Sequence, residues 1–339
     1  MNELTLTCLA RDDLTPEMTS FTFGVNGSSP LRFQPGQFLT FAFMIAGRQV
    51  ERCYSICSSP TRPETLSICV KRVPGGEVST WLHTHLRTGM TLTATGPAGR
   101  FSYLRAPADK YLFISAGSGI TPVISMLAAA ADERLDADIA FVHSAPTAAD
   151  IPFRDDVETL VATHPNINAT FALTRTTHST LDNSGHRGRI DAALLAYSCP
   201  DLTCREVFLC GPGGFRSSVR NILIASGVPL HRIHEESFGF AVPSSDKVVT
   251  TGSGVTVDFT RRARRITVSP GSSILAAAAC AGVTLPSSCG VGICGSCKVR
   301  KVSGDVVMNH QGGIAPREIE QGKILLCCSE PLSPVEIDY

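Results

Sequence analysis

Four cysteines in the last sixth of the chain are spaced as ligands of one metal cluster. Cys289, Cys294 and Cys297 follow the pattern C-x4-C-x2-C, and Cys327 comes after a further 29 residues. Four thiolates with this spacing hold the two irons and two bridging sulfides of a [2Fe–2S] cluster. Three of the ligands then come from one tight loop. The spacing therefore predicts an electron-carrying centre in this part of the chain.

The loop that holds three of these cysteines also contains Gly290, Gly292 and Gly295. Glycine adopts backbone angles that other residues avoid, so the loop can wrap a cluster and turn its N–H groups toward the sulfur atoms. A structural zinc site is the alternative, but zinc knuckles prefer two C-x2-C pairs and this chain has one. Cys328 directly follows Cys327. Neighbouring side chains of an extended segment point in opposite directions, so we expect only Cys327 to be a ligand.

Length and composition limit the class of protein. The 339 residues predict two or three domains, and a formal net charge of zero gives no indication of nucleic-acid binding. The longest apolar run, near residues 274–285, is too short to span a membrane, and residues 1–13 lack the apolar stretch of a signal peptide. Thirteen cysteines are too few for a disulfide scaffold of this size. Free thiols are typical of a reducing compartment, so we expect a cytoplasmic protein.

Residues 1–105 contain many short strand-like segments and little helical pattern. Turn signals such as Asn26-Gly27 and Pro35-Gly36 separate these segments. Such a series of short strands predicts an antiparallel β-barrel. The strands are predicted at residues 4–9, 20–25, 38–43, 66–73 and 90–94.

Residues 106–240 alternate between predicted strands and helices. The continuous apolar run at 111–116 is typical of a parallel strand buried on both faces. It leads into a glycine turn at 117–122 and then a helix, which is the usual arrangement of a nucleotide-phosphate site. The segment is therefore predicted to be an α/β nucleotide-binding domain. Further strands are predicted at 139–143, 168–174 and 206–210, with helices at 152–163 and 215–227.

Residues 241–252 are rich in Pro, Ser, Thr and Gly and predict a linker to a third domain at 253–339. In this domain Ser272 is expected to cap a helix that runs to Cys280 and is stopped by Gly282. The tip of the preceding hairpin, residues 261–264, carries three arginines. The tip is either a solvated turn or a docking patch for an acidic partner. Strands are predicted at 255–259, 265–268 and 298–302.

Further motifs resemble the ferredoxin–NADP reductase superfamily. Arg52-Cys53-Tyr54-Ser55 matches its R-x-Y-S motif, and residues 117–122 match its G-x-G-[IT]-T-P turn. Cys210-Gly211-Pro212, with Phe215, matches its C-G-P-x-x-F signature. Glu236-Ser237-Phe238 is similar to its E-x-F segment, although this chain continues beyond it. The third domain is similar to a plant-type ferredoxin. The resemblance thus implies an antiparallel β-barrel flavin domain, an α/β nicotinamide domain and a β-grasp ferredoxin domain.

The resemblance also implies a role for each motif. It implies that Tyr54 stacks on the flavin, that Ser55 bonds the flavin edge and that Arg52 holds phosphate. An aromatic face packs well on a planar ring, and a guanidinium group matches a phosphate. Cys210 lies near the nicotinamide carbon that transfers hydride, and Ser55 and Glu236 are the other predicted catalytic residues. The remaining predicted cofactor contacts are Val70, Lys71, Gly75, Gly76, Val78, Ser79, Gly117, Gly119, Thr121, Pro122, Gly211, Pro212 and Phe238.

The predicted cofactors are FAD, NADH and one [2Fe–2S] cluster. FMN-containing relatives usually carry G-R-G-G-S where this chain has residues 74–79, so FAD is expected. Gly75 and Gly76 precede a helix predicted to begin at Ser79, whose first N–H groups suit a phosphate. NADPH would require cations for its additional phosphate. Arg175 is the one candidate, and NADH is favoured.

The same order of modules recurs in the reductase components of Rieske-type oxygenases, such as glycine betaine and stachydrine demethylating monooxygenases. Nicotinamides give electrons in pairs, iron centres accept them singly, and a flavin can do both. The resemblance therefore implies an electron-transfer oxidoreductase that docks transiently on a separate terminal oxygenase. The alternatives are a reductase of hybrid cluster protein, a redox-sensing module without useful turnover, and a self-contained oxygenase, for which no oxygen-activating ligand set is evident.

Overall fold

The computed structural model describes residues 2–27, 30–175, 185–236, 238, 254–283, 285, 290, 292, 295, 297–310 and 313–339. The chain divides into two compact units, Met1–Ser237 and Phe238–Tyr339. The predicted linker at 241–252 lies outside the described residues, and so do Cys289 and Cys294. None of the helices in the described part is long and apolar enough to cross a membrane.

The first part of the first unit is a six-stranded antiparallel sheet. A bridge between Ile56 and Ile68 joins its two edge strands, and the enclosed core includes Phe21, Phe23 and Phe41. The predicted antiparallel barrel is therefore confirmed. Its strands are β1 Asn2–Thr15, β2 Met18–Asn26, β3 Phe38–Ile45, β4 Arg48–Ser55, β5 Thr65–Lys71 and β6 Thr91–Ala98, in the spatial order β4-β3-β6-β1-β2-β5.

One helix, α1 (Glu77–His85), follows β5 and begins two residues before the predicted start at Ser79. Gly76 is its N-cap residue, and no side chain caps its first turn. Ser79 lies inside that turn, where its hydroxyl accepts a hydrogen bond from the Val73 N–H at 3.2 Å. A serine that bonds back to the preceding loop resembles a capping serine in sequence, which explains the difference.

The second part of this unit is a fully parallel six-stranded sheet with helices on both faces. The spatial order is β10-β9-β8-β7-β11-β12, so the strand order reverses between β7 and β11. Open α/β sheets bind ligands in the crevice at such a reversal. The elements are β7 Lys110–Ala116, α2 Ile120–Asp132, β8 Asp138–Ala145, α3 Arg154–Thr163, β9 Ile167–Leu173, β10 Gly185–Arg187, α4 Ala192–Ser198, β11 Glu206–Cys210, α5 Gly213–Ala225 and β12 Ile233–Glu236.

The barrel packs against α2 of the parallel sheet, and apolar residues of both form one core cluster. The Ser125 hydroxyl on α2 donates to the Ser58 carbonyl oxygen at 2.8 Å. The Asp132 carboxylate at the end of α2 accepts hydrogen bonds from Thr61 and Arg62 at 2.5 and 2.7 Å. These contacts fix the loop after β4 against the helix that follows the glycine turn.

Within its described residues, the second unit is a mixed sheet with two short helices, as expected of a β-grasp domain. β13 and β19 run parallel at its centre, and the other pairs are antiparallel. The elements are β13 Val255–Phe259, β14 Arg264–Val268, α6 Ile274–Cys280, β15 Lys298–Ser303, β16 Val306–Met308, α7 Pro316–Glu320, β17 Lys323–Leu325, β18 Ser329–Pro331 and β19 Val335–Asp338, and the main sheet has the order β14-β13-β19-β15-β17.

The predicted N-cap of α6 is wrong by one residue. Ser273 caps the helix, and its hydroxyl accepts a hydrogen bond from the Ala276 N–H at 3.2 Å. Ser272 instead closes the preceding turn through its own N–H group. Two adjacent serines are equal candidates in sequence, and the turn before the helix decides between them. Gly282 ends the helix as predicted, with a left-handed φ of +70°.

Candidate flavin, nicotinamide and cluster sites

The R-x-Y-S residues lie at the end of β4, on the barrel edge that faces β5. Tyr54 packs its ring against Phe41 and Phe43, with centroid distances of 5.9 and 6.5 Å. Burial raises the pKa of its hydroxyl, so the ring remains neutral. The Ser55 hydroxyl is buried and has no hydrogen-bond partner among the described residues. Because an unpaired buried hydroxyl is costly, this end of β4 fits the edge of a polar ligand.

Val70 and Lys71 end β5 beside this motif. The antiparallel bridge between Ile56 and Ile68 joins the chain just after Ser55 to β5. Lys71 is exposed at the end of the strand. The pairing therefore brings together two of the predicted flavin segments, which are separated by about fifteen residues in the chain.

The turn between β5 and α1 is built around two glycines. Gly75 has a left-handed φ of +71°, and a Cβ atom on Gly76 would lie 2.5 Å from the Ser79 Oγ. Val78 and Ser79 are buried in the first turn of α1. Because no side chain caps this turn, its N–H groups and the helix dipole are available to an anion. The predicted phosphate residues therefore form one compact turn.

The predicted nicotinamide residues meet where the strand order of the parallel sheet reverses. Gly117 has a left-handed φ of +53°. A Cβ atom on Gly119 would lie 2.3 Å from the Cys210 carbonyl oxygen, so the glycine turn and the end of β11 are in backbone contact. Thr121 and Pro122 follow, both buried in the first turn of α2. The structure thus joins two motifs that lie about ninety residues apart in the chain.

Gly211 and Pro212 carry the chain from β11 into α5. Gly211 has a φ of +154°, and a Cβ atom there would lie 2.9 Å from the Phe215 ring. Pro212 is the N-cap residue of α5. The C-G-P-x-x-F signature is therefore a tight strand-to-helix turn that leaves no space for a side chain at its second residue.

Cys210 and Glu236 are neighbours in register on β11 and β12, and they are 0% and 5% exposed. Burial raises the pKa of both groups, that of Glu236 to about 8, and the Glu236 carboxyl raises that of Cys210 further. The Oε2 atom of Glu236 has no hydrogen-bond partner within the described part of the chain. A neutral carboxyl with an unpaired oxygen can exchange a proton with a ligand placed against it.

The sequence analysis assigned no role to Ser115 and His143, which extend this polar row. Ser115 on β7 is in register with Cys210 on one side and with His143 on the other. Its hydroxyl lies 2.8 Å from His143 Nδ1, and both side chains are fully buried. Burial lowers the pKa of His143 to about 3, so the ring is neutral. The available signal was a polar residue near the carboxyl end of each of two apolar strands, Ser115 on β7 and His143 on β8.

Two other predicted contacts stand apart from these groups. Arg175 follows β9, is exposed, and bonds through its N–H group to the Pro146 carbonyl oxygen at 2.8 Å. Phe238 is 40% exposed and belongs to the second unit, and Ser237 lies outside the described residues. The roles of Arg175 and Phe238 therefore remain predictions.

Two of the four predicted cluster ligands are described. Cys297 precedes β15 and Cys327 follows β17, and they are 3% and 8% exposed. The Leu326 N–H donates to the Cys297 carbonyl oxygen at 3.2 Å, which holds the two segments together. Cys289 and Cys294 lie outside the described part of the chain. Among the described residues, no group of three or more side chains is placed to hold a metal ion. The full ligand set therefore remains a prediction.

The glycines of the cysteine loop adopt the left-handed angles expected of them, with φ of +70° at Gly290 and +76° at Gly292 and Gly295. The Gly292 N–H donates to the Cys327 sulfur at 3.1 Å. Hydrogen bonds of this kind from loop N–H groups tune cluster sulfurs. The described part of the loop therefore fits a cluster held partly by Cys327.

Cys328 has different contacts from Cys327. Its sulfur lies 3.7 Å from the Leu325 carbonyl oxygen. Leu326–Cys328 form a 3₁₀ turn, not the extended segment on which the choice between the two cysteines was based. The expectation that the side chains of Cys327 and Cys328 alternate along an extended segment is therefore wrong. The hydrogen bond from the Gly292 N–H to the Cys327 sulfur is the better reason to favour Cys327 as the ligand.

Comparison with known proteins identifies the family. Models of three domains match the chain: an oxidoreductase FAD-binding domain at 5–103, an oxidoreductase NAD-binding domain at 113–221 and a 2Fe-2S iron-sulfur cluster binding domain at 257–332. The glycine betaine monooxygenase reductase subunit of Pseudomonas aeruginosa is 39% identical over 339 residues, covering 96% of this chain and 92% of that protein. The chain belongs to the ferredoxin–NADP reductase superfamily. This reductase is an NAD(P)H-dependent flavin and iron–sulfur oxidoreductase, the reductase component of an oxygenase.

Two further proteins are similar to this chain. The stachydrine N-demethylase reductase subunit of Rhizobium meliloti is 37% identical, and the match covers 98% of this reductase and 96% of that protein. The crystal structure of phthalate dioxygenase reductase shares the fold, with a TM-score of 0.62 and 23% identity. The match covers 100% of this chain and 98% of that one. The three matched ranges fall within the segments predicted at 1–105, 106–240 and 253–339, whose boundaries remain predictions.

The residues of this reductase fit the cofactors that the family implies. Two buried polar atoms, on Ser55 and Glu236, have no partner among the described residues and are suited to a bound ligand. At Gly76 and Gly119, in the turns where phosphates are expected, an added Cβ atom would clash with Ser79 Oγ and with the Cys210 carbonyl oxygen, so both turns favour glycine. Cys297 and Cys327 of the third domain are buried, and a loop N–H group donates to the Cys327 sulfur. FAD, a nicotinamide and a [2Fe–2S] cluster are therefore compatible with this chain.

Proposed function

We propose that this reductase supplies electrons to a Rieske-type oxygenase that demethylates or hydroxylates a small organic substrate. The observation that carries the proposal is identity of 37–39%, over nearly the whole chain, to reductase subunits of a glycine betaine monooxygenase and a stachydrine N-demethylase. The fused [2Fe–2S] domain supports it, because a reductase that used a separate ferredoxin would not need its own one-electron relay. A hybrid cluster protein remains the alternative acceptor.

The groove between the end of β4 and the start of α1 is the proposed FAD site. Tyr54 holds the ring by stacking, Ser55 bonds the ring edge, and Arg52 binds phosphate. When bound, FAD accepts hydride from the nicotinamide and passes its electrons on singly. The backbone turn completes the phosphate end of the site. Its residues are Val70, Lys71, Gly75, Gly76, Val78 and Ser79, and Phe238 is assigned to the second face of the ring.

The flavin site is tested by the Tyr54→Ala variant. Loss of the stacked ring is expected to weaken flavin retention by about tenfold or more, since an aromatic contact of this kind is worth a few kcal/mol with its burial. Tyr197→Ala is the matched control, because Tyr197 is 84% exposed on α4. Flavin released by heat should migrate as FAD on chromatography. Release of FMN, or equal retention in the two variants, would contradict the assignment.

Cys210 and Glu236 are proposed to meet the nicotinamide, with the pyrophosphate bound by Gly117, Gly119, Thr121 and Pro122. Gly211 and Pro212 shape the turn beside Cys210. The Cys210 thiol, kept neutral by burial, packs against the ring without reacting with it. Glu236 and Ser55 hold or exchange the proton that accompanies electron transfer. Support comes from the contact between Gly119 and Cys210 and from the unpaired oxygen of Glu236.

NADH is the proposed donor. Arg175 is the single cation assigned to a possible NADPH phosphate, and it is exposed after β9. An additional phosphate usually requires such a cation. The ratio of kcat/KM for NADH to that for NADPH should therefore exceed one and change little in Arg175→Ala. A strong preference for NADPH that disappears in this variant would reverse the proposal.

The proposed cluster ligands are Cys289, Cys294, Cys297 and Cys327. Cys327→Ser is expected to lose the visible absorption of the cluster and the rhombic resonance of its reduced form. Cys328→Ser is the adjacent control and should keep both, because the Gly292 N–H donates to Cys327. The opposite outcome would make Cys328 the fourth ligand.

The oxygenase is proposed to dock on the edge of the ferredoxin sheet that carries the cysteines. β13 ends beside β19, β15 begins beside the end of β19, and β17 ends opposite the start of β15. The basic hairpin tip, Cys297 and Cys327 therefore share one edge. At about 4.8 Å between strands, β13 and β17 are about 14 Å apart, which is a suitable separation within a small docking surface.

The described arginines of this tip are partly neutralised. Arg261 forms a bidentate pair with Asp338, at 2.5 and 2.9 Å, and Arg262 lies over the Tyr339 ring at 4.5 Å. Arg264 donates to a carbonyl oxygen at 3.4 Å. A partly neutralised tip favours rapid release over tight binding, as electron transfer requires. The other part of the proposed surface, Val291 and Ile293, lies outside the described residues.

The acceptor is identified by reconstitution with a candidate Rieske oxygenase, following NADH use and substrate loss together. Coupled loss of both is the expected result. Reduction of a hybrid cluster protein, without reduction of any such oxygenase, would favour the alternative. NADH oxidation without any protein acceptor would favour a sensing role. A chain shortened by residues 253–339 should still reduce ferricyanide but not the oxygenase, and an intact oxygenase rate would contradict direct delivery by the cluster domain.

We also propose that the protein is cytoplasmic. Cys57, Cys69 and Cys199 are free thiols that are buried in apolar surroundings. Free thiols persist in reducing compartments. The proposed activity also consumes NADH, which is an electron donor of the cytoplasm.

A further inference from the structure

The loop that follows β4, residues 56–62, lies against one face of α2. The loop begins directly after Ser55, which is assigned to the flavin edge, and α2 begins directly after the glycine turn assigned to the nicotinamide pyrophosphate. The contact between loop and helix therefore joins the element that carries one proposed cofactor site to the element that carries the other. The sequence analysis assigned no role to either side of this contact.

Ser125 is the buried part of the contact. It lies one helical turn after Thr121, on the same face of α2, and it is 0% exposed. Its hydroxyl donates to the Ser58 carbonyl oxygen of the loop at 2.8 Å. The Ser58 hydroxyl in turn accepts a hydrogen bond from the Ser67 N–H on β5 at 3.0 Å. Ser58 is therefore bonded both to the barrel and to α2.

Asp132, the last residue of α2, completes the contact. Its carboxylate accepts hydrogen bonds from the Thr61 hydroxyl at 2.5 Å and from Arg62 at 2.7 Å. Although burial opposes it, hydrogen bonds from Arg62, Thr61 and Ser59 hold the pKa of Asp132 below its usual range, so the group is ionised at neutral pH. The Arg62 side chain is 70% exposed, and such pairs add little to stability. Together with Thr61, this pair instead fixes the position of the end of the loop.

Packing alone does not determine where the loop lies. A cavity of about 530 Å³ separates part of the loop from β2, β5, α2 and α3. Its lining includes Cys57 and Ser59 of the loop and Ile124 and Ala128 of α2. Apolar contacts have no preferred direction, and on this side the interface between the loop and α2 is not filled. The directional hydrogen bonds to Ser125 and Asp132 are therefore needed to set the position of the loop along the helix.

We propose that Ser125 and Asp132 are positioning residues for hydride transfer, because they form a clasp that sets the flavin-binding strand β4 against the nicotinamide-binding helix α2. The inference rests on the proposed flavin and nicotinamide sites. The contacts assigned to FAD lie mostly on the barrel and α1, and those assigned to the nicotinamide lie on the parallel sheet and its turns. Loss of the clasp should therefore leave both affinities nearly intact and change the distance between the two reacting rings.

The main test is stopped-flow reduction of the flavin by NADH in the full chain. A misplacement of about 1 Å can cost about a hundredfold in rate, so the partial displacement expected in Ser125→Ala should lower the limiting rate at saturating NADH by about tenfold. Asp132→Ala should lower it severalfold. In both variants the dissociation constants of NADH, from the same traces, and of FAD, by flavin fluorescence, should change by less than about twofold.

A second measurement needs no turnover. Hydrogen–deuterium exchange of the full chain without NADH reports on the loop itself. Its amides at 58–62 should exchange severalfold faster in Ser125→Ala and Asp132→Ala, because fewer contacts oppose local opening. The amides of β4 should keep their wild-type exchange, since β4 remains paired with β3 along its whole length.

Arg205→Met is the control for lost stability. Arg205 is buried at the amino ends of the parallel strands, where it bonds Asp138 and Asp201. Its loss should weaken the sheet without touching the clasp, so the limiting rate should be that of wild type. Asp136→Asn is the control for charge, because Asp136 is exposed four residues beyond Asp132. It should change neither the limiting rate nor the exchange of the loop.

Three results would overturn the proposal. The first is a wild-type limiting rate in both clasp variants; Asp132→Ala decides alone if the buried Ser125→Ala does not fold. The second is an equal loss of rate in Arg205→Met, which would show that stability controls the step. The third is a loss of FAD affinity as large as the loss of rate, which would assign the clasp to flavin binding.

Failure of the proposed sites is recognised separately. Tyr54→Ala would then retain FAD normally, whatever the clasp variants do. Weakened retention in Tyr54→Ala, with unaltered limiting rates in Ser125→Ala and Asp132→Ala, refutes the clasp alone. Reduction of the flavin by NADH needs no oxygenase, so these outcomes do not depend on the identity of the acceptor.

Discussion

Glu236 is a carboxyl group that burial keeps neutral near neutral pH. Its pKa in the folded chain is about 8, against an ordinary value of 4.5. As the pH rises between these values, the unfolded chain loses this proton and the folded chain retains it. The free energy of unfolding therefore falls with rising pH in this window. Below it both states are protonated and the contribution vanishes.

The Glu236→Gln variant removes this effect. We expect it to be more stable than wild type by about 1–3 kcal/mol at pH 8.5 and equal to it near pH 4.5, because an amide has no proton to lose. Urea unfolding of the full chain at both values of pH measures the difference. Glu235→Gln is the control, since Glu235 is paired with Arg216 and Arg220 and should show no such gain. Equal stability of Glu236→Gln and wild type at pH 8.5 would contradict the prediction.

Gly119 is the residue at which the glycine turn and the end of β11 come closest. Gly119→Ala would place a Cβ atom 2.3 Å from the Cys210 carbonyl oxygen, so one of the two segments must move. We expect the KM for NADH to rise by about tenfold or more, because small displacements at a binding turn are costly, while flavin content is unchanged.

Gly213→Ala is the matched control for this substitution. Gly213 begins α5, and a Cβ atom there would meet no other atom within 4 Å. Stopped-flow reduction of the flavin by NADH gives the affinity in both variants. A normal affinity in Gly119→Ala would show that the nicotinamide does not bind against this turn.

At the level of secondary structure, the amino ends of the parallel strands are tied together by Arg205. Its buried guanidinium donates to both carboxylate oxygens of Asp138, at 3.0 and 2.6 Å, and to Asp201 at 2.7 Å. It also donates to the Tyr111 carbonyl oxygen at 3.1 Å. Although burial opposes it, the hydrogen bonds from Arg205 and Lys110 hold the pKa of Asp201 well below its usual range. This network joins β7, β8 and the loop before β11 at the edge opposite the nucleotide site.

Arg205→Met is expected to lower the free energy of unfolding by about 2–4 kcal/mol, because it leaves two partly buried carboxylates without their partner. Arg48→Met is the control, since the Arg48 side chain is 70% exposed in its pair with Glu77 and its loss should cost less than about 0.5 kcal/mol. Urea unfolding at pH 7 measures both. Similar small losses in the two variants would mean that the network does not stabilise the sheet.

For the whole molecule, the proposed docking of the cluster domain makes electron delivery sensitive to salt. Exposed charges are screened beyond about 8–10 Å at physiological ionic strength, so the rate with the oxygenase should fall as salt rises. Replacing Arg262 and Arg264 by glutamine should lower the rate at low salt severalfold and flatten its salt dependence. Arg134→Gln, in the first unit, should change neither.

Reduction of the cluster by NADH within the chain provides the internal control for these variants. This step needs no partner, so it should be equal in wild type and in the variants of the basic tip. A loss of internal reduction would show that the arginines support the domain and not the docking. An unaltered salt dependence with the oxygenase would place the docking surface elsewhere.

The sequence by itself determined the three modules, their order and most of their chemistry. A cluster constrains the spacing of the cysteines within one loop, and a tight turn at a phosphate requires glycines. Both kinds of site can therefore be recognised from a short stretch of sequence. The continuous apolar run at 111–116 likewise predicted a buried parallel strand, which is confirmed as β7. Such features depend on residues close together in the chain, where side-chain type and spacing are sufficient evidence.

Only the tertiary structure decided how distant segments combine. The contact between Gly119 and Cys210 and the hydrogen bond between Ser115 and His143 depend on the pairing of elements far apart in the chain. The protonation of Glu236 depends on burial that no local pattern encodes. The choice of Ser273 over Ser272 as a helix cap was settled by the turn before it. In each case the energy of the group is set by neighbours that only folding brings within reach.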